Sequence, residues 1–125
     1  MKFKRYFDDE FYEEFTSPQN RHTHYTKHIV DRKEYDMSEE EYEKYSEDLM
    51  NTPCDYKNIF GYVCIDKVTN KKGYVKYNKE KEFMTVYNDV GKTVTSFRRP
   101  YRDFIGKMYD ANERYEYIDE IPRGK

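Results

Sequence analysis

The chain has no tryptophan, only two cysteines, and no apolar run near the ~18 residues that a membrane-spanning helix requires. A helical membrane span is therefore excluded. The N-terminus offers no secretory signal either: MKFKRYFDDEF turns acidic by Asp8, before an apolar stretch can form. Cys54 and Cys64 are too few for a disulfide scaffold, and their spacing fits neither a zinc knuckle nor a CxxC pair. They read as small buried hydrophobes in a reducing compartment. A surplus of positive charge is also missing, since 23 basic residues meet 25 acidic ones. No whole-protein field attracts polyanions, so nucleic-acid binding has to rest on a local patch.

What is present is aromatic and charged. A length of 125 residues fits one compact domain. With 38% charged and 36% hydrophobic residues, the composition alone leans towards disorder. Fifteen tyrosines and eight phenylalanines reverse that reading and predict a small, wet core whose hydroxyls need partners. The charge is unevenly spread. Residues 1–60 hold 9 basic and 15 acidic side chains, whereas residues 61–125 hold 14 and 10. A basic patch is expected in the second half.

Residues 1–20 form an acidic, aromatic segment, and residues 21–125 read as a single domain. Phe7, Phe11 and Phe15 share one side of a short helix that Pro18 stops. All three histidines lie in Arg21–Asp36, a helix or a loop leading into one. Ser38 then opens a clear helix: Glu41 completes a capping box, and Glu39 and Glu40 suit the positive end of the helix dipole. Tyr42, Tyr45 and Leu49 mark its buried face, and Pro53 requires it to end. From Ile59 the hydrophobic period becomes two. Strands are predicted at Ile59–Asp66, Gly73–Asn78, Glu82–Asn88 and Lys92–Arg98, joined by short turns as an antiparallel meander. The tail holds FIGKMY and YEYIDEIP, a short helix and an edge segment. The fold class is α+β: N-terminal helices packed on a twisted four-stranded antiparallel β-meander.

Alternation sorts the strand residues. Met84, Val86, Val94 and Val75 are expected beneath the helix, with Lys76, Thr85 and Thr95 on an open face beside Tyr87 and Phe97. A cation, two hydroxyls and aromatic planes suit RNA through phosphate, 2′-OH and stacking contacts; a merely solvated face is the plain alternative. His24 and His28, four residues apart, share a helix face. Such a pair suits zinc, but no third ligand is spaced to complete a site. General acid–base chemistry is the second reading, and an exposed polar segment the third.

The run His24-Tyr25-Thr26-Lys27-His28 resembles the H-[FY]-x-K-H signature of RNase toxin domains at the C-termini of bacterial polymorphic and contact-dependent inhibition toxins. These domains belong to the barnase/EndoU/colicin/RelE superfamily, which also has phage-encoded members. The resemblance continues in order through Ser38-Glu39-Glu40-Glu41-Tyr42, Lys76-Tyr77-Asn78, Lys81-Glu82-Phe83 and Thr95-Ser96-Phe97-Arg98-Arg99-Pro100. Together these cover roughly residues 24–105, which makes residues 21–125 a single nuclease-like domain. Ile29 stands where the family often has glycine, Lys76 replaces an arginine and so loses its bidentate fork, and Arg99 is an extra residue before the proline.

The resemblance implies a metal-independent endoribonuclease toxin that needs no cofactor and acts on RNA, tRNA above all. A ribose 2′-OH attacks the adjacent phosphorus to give a 2′,3′-cyclic phosphate and a 5′-OH. Implied catalytic residues are His28 and His24 as base or acid, Lys76 and Arg98 on the phosphate, and Thr95 as an orienting group. Lys27, Thr85, Tyr87, Phe97 and Arg99 complete the RNA-binding set. Tyr77 is structural by alternation and functional by its place in the motif. A cognate immunity protein or antitoxin, acidic to match the patch, is the expected protein partner, and no membrane is involved. The site of action is the bacterial cytoplasm, reached from a free-standing or phage-encoded gene product or as the C-terminal part of a larger exported toxin. The alternative is an inactive relative that serves a phage or mobile element as a protein- or RNA-binding module.

Overall fold

The computed structural model describes residues 17–108 and 110–123. The expected helix over Phe7, Phe11 and Phe15 lies outside them. The described chain runs α1 (Pro18–Tyr25), a π-helical turn (Thr26–Asp31), α2 (Glu39–Asn51), β1 (Ile59–Asp66), β2 (Lys71–Asn78), β3 (Phe83–Tyr87), β4 (Thr93–Arg98), α3 (Tyr101–Lys107) and β5 (Tyr115–Glu120). Pro18 starts a helix rather than only barring one. The Ser17 hydroxyl accepts from the Asn20 amide at 3.0 Å, and proline at the first helical position gives up no needed donor. Arg21–Asp36 is thus helical as far as Asp31, and a domain boundary after residue 20 would cut α1.

The Ser38–Glu41 capping box forms as the sequence implies, with both reciprocal bonds present. The buried face of α2 is Tyr42, Ser46, Leu49 and Met50, whereas Tyr45 is 38% exposed. Tyr45 lies off the stripe because Ser46, at i+4 from Tyr42, takes the inward position.

The sheet has five strands, not four, all antiparallel in the order β4-β3-β2-β1-β5. The added strand is YEYIDE, which pairs along β1 and leaves Glu116, Ile118, Asp119 and Glu120 exposed. Its charge hid it: an edge strand with only Tyr115 and Tyr117 half-buried carries a weak period-two signal.

Both sheet faces are covered, and the expected open face is the one that α2 occupies. Ile59, Tyr74, Phe83 and Tyr87 pack with Tyr42, Leu49 and Met50 of α2. Phe60, Val75, Tyr77, Met84 and Val86 pack instead with Phe104 of α3, whose ring stacks on Tyr77 at 4.0 Å between centroids. Three sequence-based assignments therefore fail. Lys76 and Thr85 are fully buried and Tyr87 is 1% exposed, so they lie beneath α2 rather than on an open face. Each has an internal role. Lys76 Nζ donates to the carbonyls of Met50 (3.3 Å) and Thr52 (2.5 Å), capping the C-terminal end of α2, whose last turn has no basic residue. The Thr85 hydroxyl bonds Ser96 Oγ at 2.8 Å, and the Tyr87 hydroxyl donates to the Ser46 carbonyl. Tyr77 is likewise buried, its hydroxyl donating to the Arg99 carbonyl at 2.6 Å.

A register shift explains why alternation misplaces β4. Ser96 pairs with Thr85 and Thr95 with Val86, but a bulge lies between Val86 and Tyr87, so Thr93 rather than Val94 meets Tyr87. Ser96 therefore faces α2, where Ser46 Oγ lies 2.6 Å from its own hydroxyl. Cys54 and Cys64 are free and buried, as expected. Among the described residues no helix is long and apolar enough to cross a membrane.

Candidate active site

The polar run of α1 and the π-helical turn lies against β4 and brings its histidines there. Helix α1 buries no residue of its own and is held by polar ties. Asn20 Nδ2 donates to the Val94 carbonyl at 2.9 Å, Arg21 pairs with Glu39 and Glu43, and His22 Nδ1 meets Glu39 at 2.7 Å. At Thr26 the helix widens to the π form, a local irregularity often found at functional sites. This turn buries His28 and Ile29, while His24 remains half-buried on the preceding turn.

The two imidazoles stand parallel, 6.1 Å apart with an interplanar angle of 7°. His24 Nδ1 lies 3.0 Å from the Thr95 hydroxyl. His28 stacks on Phe97 at 5.5 Å, and the Arg99 guanidinium lies 4.9 Å from the same Phe97 ring. His28 Nδ1 is 2.8 Å from Glu34 Oε2, and the other Glu34 oxygen accepts from the Arg98 backbone amide at 2.6 Å. The Arg98 side chain turns outward to Glu82, at 2.6 Å.

These groups line an open cleft of about 510 Å³ between the helical run, β4 with its continuation to Pro100, and the Glu113–Tyr115 approach to β5. Five basic side chains (Lys27, Arg32, Arg98, Arg99 and Arg114) face three acidic ones (Glu34, Asp103 and Glu113). Two of the cations are held by carboxylates just outside the cleft, Arg98 by Glu82 at 2.6 Å and Arg114 by Asp66 at 2.8 Å, which leaves Lys27, Arg32 and Arg99 as the cations facing its own acidic groups. Arg99 is mostly buried, and its Nη1 has no hydrogen-bond partner among the described residues; Glu113 is its nearest carboxylate, at 3.9 Å.

Burial sets the protonation of the imidazoles. His24 is pulled down to about 4, first by desolvation and then by the nearby His28 and Lys27. His28 is also lowered by desolvation, with Glu34 opposing the shift. Both rings are neutral at pH 7, so each holds one proton and one free basic nitrogen. Paired imidazoles beside a hydroxyl and several cations can move protons next to a bound phosphate.

Of the residues singled out from the sequence, His24, Lys27, His28, Thr95, Phe97, Arg98 and Arg99 share this cleft. Lys76, Thr85 and Tyr87 do not, since α2 covers them. Sequence reasoning missed Glu34, Arg32, Asp103, Glu113 and Arg114. Glu34 gives no signal within Asp31-Arg32-Lys33-Glu34; only the chain reversal after the π-helical turn carries it back to His28. Among the described residues no group of three or more His, Cys, Asp or Glu side chains is arranged to hold a metal ion. No family model, no curated protein and no solved structure matches the chain.

Proposed function

We propose that the chain is a metal-independent endoribonuclease of the toxin type its motifs resemble, with the His24–His28 cleft as its active site. The observation that carries this reading is convergence. Two histidines, a threonine, an aromatic ring and several cations, drawn from residues 24–34 and 94–99, meet in one cleft. In this reading His28 removes the proton of a ribose 2′-OH, and that oxygen attacks the adjacent phosphorus. His24, neutral in the resting cleft, takes up a proton when the phosphate anion binds beside it and gives that proton to the departing 5′ oxygen. Lys27, Arg98 and Arg99 offset charge on the phosphoryl oxygens, and Thr95 orients the phosphate. Acid, base and electrostatic stabilisation are then all side chains of the cleft. The products are a 2′,3′-cyclic phosphate and a 5′-OH.

The helices preceding a meander are consistent with a barnase/EndoU/colicin/RelE-like fold, and that assignment belongs to the same proposal. So do tRNA as substrate, action in a bacterial cytoplasm, and an acidic immunity protein or antitoxin that covers the cleft. One observation favours a second reading, an inactive relative that binds RNA or protein: the cation that the resemblance places on the phosphate, Lys76, is buried. Induced expression in a bacterium separates the two. Growth arrest by the wild type, relieved by His28→Ala, supports the nuclease. Harmless wild-type expression at high level supports the binding module.

A further inference from the structure

We propose that Glu34 is a positioning residue that fixes the His28 ring with its proton on Nδ1 and leaves Nε2 as the free, proton-accepting nitrogen. This inference rests on the proton-transfer reading of the cleft, but it also makes a claim about the resting protein that needs no substrate.

The geometry is built from three contacts. Lys33 adopts a left-handed backbone, φ 52°, which reverses the chain at the end of the π-helical turn. The Glu34 amide then donates to the His28 carbonyl at 3.0 Å, closing the turn on His28 itself. The carboxylate completes the embrace: Oε2 lies 2.8 Å from His28 Nδ1, and Oε1 accepts from the Arg98 amide at 2.6 Å. A carboxylate can only accept hydrogen bonds, so the hydrogen of the His28–Glu34 bond resides on Nδ1. Neutral His28 must then carry its lone pair on Nε2. The ring plane is held from the side as well, by His24 and Phe97.

The Arg98 amide makes this arrangement selective. It demands an acceptor, so in Glu34→Gln the amide oxygen keeps Arg98 and the NH2 group faces His28 Nδ1. A donor at Nδ1 forces the proton onto Nε2. The substitution therefore reverses the tautomer while preserving shape, and it removes the free basic Nε2. In the Ser-His-Asp triad of serine proteases, the wrong histidine tautomer costs about 10⁴-fold in kcat. A loss of at least about 100-fold in kcat is expected here, with KM nearly unchanged.

Long-range ¹H–¹⁵N NMR of the histidine rings, recorded at pH 7 and through an acid titration, tests this directly on the wild type, Glu34→Gln and Glu34→Asp. The charged and titratable groups facing His28 in that titration are His24, Lys27, Arg32 and Glu34. Nδ1–H for His28 in the wild type, Nε2–H in Glu34→Gln, and Nδ1–H regained in Glu34→Asp are expected. Nε2–H in the wild type, or a tautomer indifferent to Glu34→Gln, overturns the proposal. Cleavage of tRNA by the same proteins separates the two levels. Cleavage by the wild type that survives in Glu34→Gln overturns the positioning role, whereas a reversed tautomer with no cleavage by any protein overturns the nuclease reading and leaves the tautomer assignment standing.

Discussion

The ammonium of Lys76 lies 2.5 Å from the carbonyl of Thr52, inside the protein and beneath the C-terminal end of α2. Burial lowers Lys76 from 10.5 to about 8. The unfolded chain therefore binds the extra proton between those values, and stability rises with pH across that interval. At about 1.36 kcal/mol for each pH unit, the gain is on the order of 3 kcal/mol. It is cut short from about pH 10, because burial raises the folded-state values of tyrosines such as Tyr77 and Tyr115, both to about 12. Those groups lose stability as pH climbs from the unfolded value towards the folded one. Urea unfolding from pH 7 to 11 is expected to show a maximum between about pH 9 and 10, and Lys76→Met is expected to abolish the rising limb. On the proposed nuclease reading the same variant is expected to keep wild-type RNA cleavage, since Lys76 lies outside the cleft.

On the acid side the histidines dominate first. His24, held at about 4, and His28, also lowered, stay neutral in the folded protein while the unfolded chain takes up protons below about 6.5. Stability is fully present above that value and falls as pH drops towards 4. Carboxylates with lowered values, Glu39 and Asp55, add their losses only below about 4.5. Thermal unfolding between about pH 7 and 4.5 is expected to show this fall, flattened in His24→Gln. On the proposed nuclease reading the active form carries one added proton on the His24–His28 pair. The kcat/KM for cleavage is therefore expected to fall as pH rises past the higher of the two histidine values, both of which are lowered from 6.5 by burial.

Tyr42 covers part of the β4 edge. Its hydroxyl donates to the Ser96 carbonyl at 2.5 Å and accepts from the Ser96 amide at 3.1 Å. Tyr42→Phe leaves both backbone groups buried without that partner, which costs about 1–3 kcal/mol in chemical denaturation.

Gly61 is a site of close approach within β1. A Cβ there would lie 2.6 Å from Cys54 Sγ, 3.1 Å from Ile121 and 3.2 Å from Lys76 Cδ. Gly61→Ala is expected to destabilise by about 1–3 kcal/mol. Adding Cys54→Ala removes the nearest atom and recovers part of that loss, a coupling that a double-mutant cycle measures.

Much of this architecture is legible in the sequence, and the failures have specific causes. The Ser38–Glu41 box and the run of alternating residues after Ile59 are local signals, so α2 and the strands β1 to β4 emerge from them. The pairing of His24 and His28 with Thr95, Phe97 and Arg98 follows from motif order, which composition cannot supply. Burial of Lys76 is not legible because its reason is tertiary: carbonyls of α2 that lack a basic residue in their own last turn. Glu34 is silent because a single left-handed residue, Lys33, brings it to His28. The fifth strand is hidden by its own charge, and the bulge opposite Tyr87 reverses the faces of β4.

The most direct measurement is cleavage of total bacterial tRNA in excess EDTA by the wild type and His28→Ala, with the fragment ends identified by mass spectrometry. Discrete fragments from the wild type ending in 2′,3′-cyclic phosphate, and intact RNA with His28→Ala, are the predicted result. Equal cleavage by both proteins, or fragments ending in a 3′-OH, would contradict a His28-based transfer in this cleft.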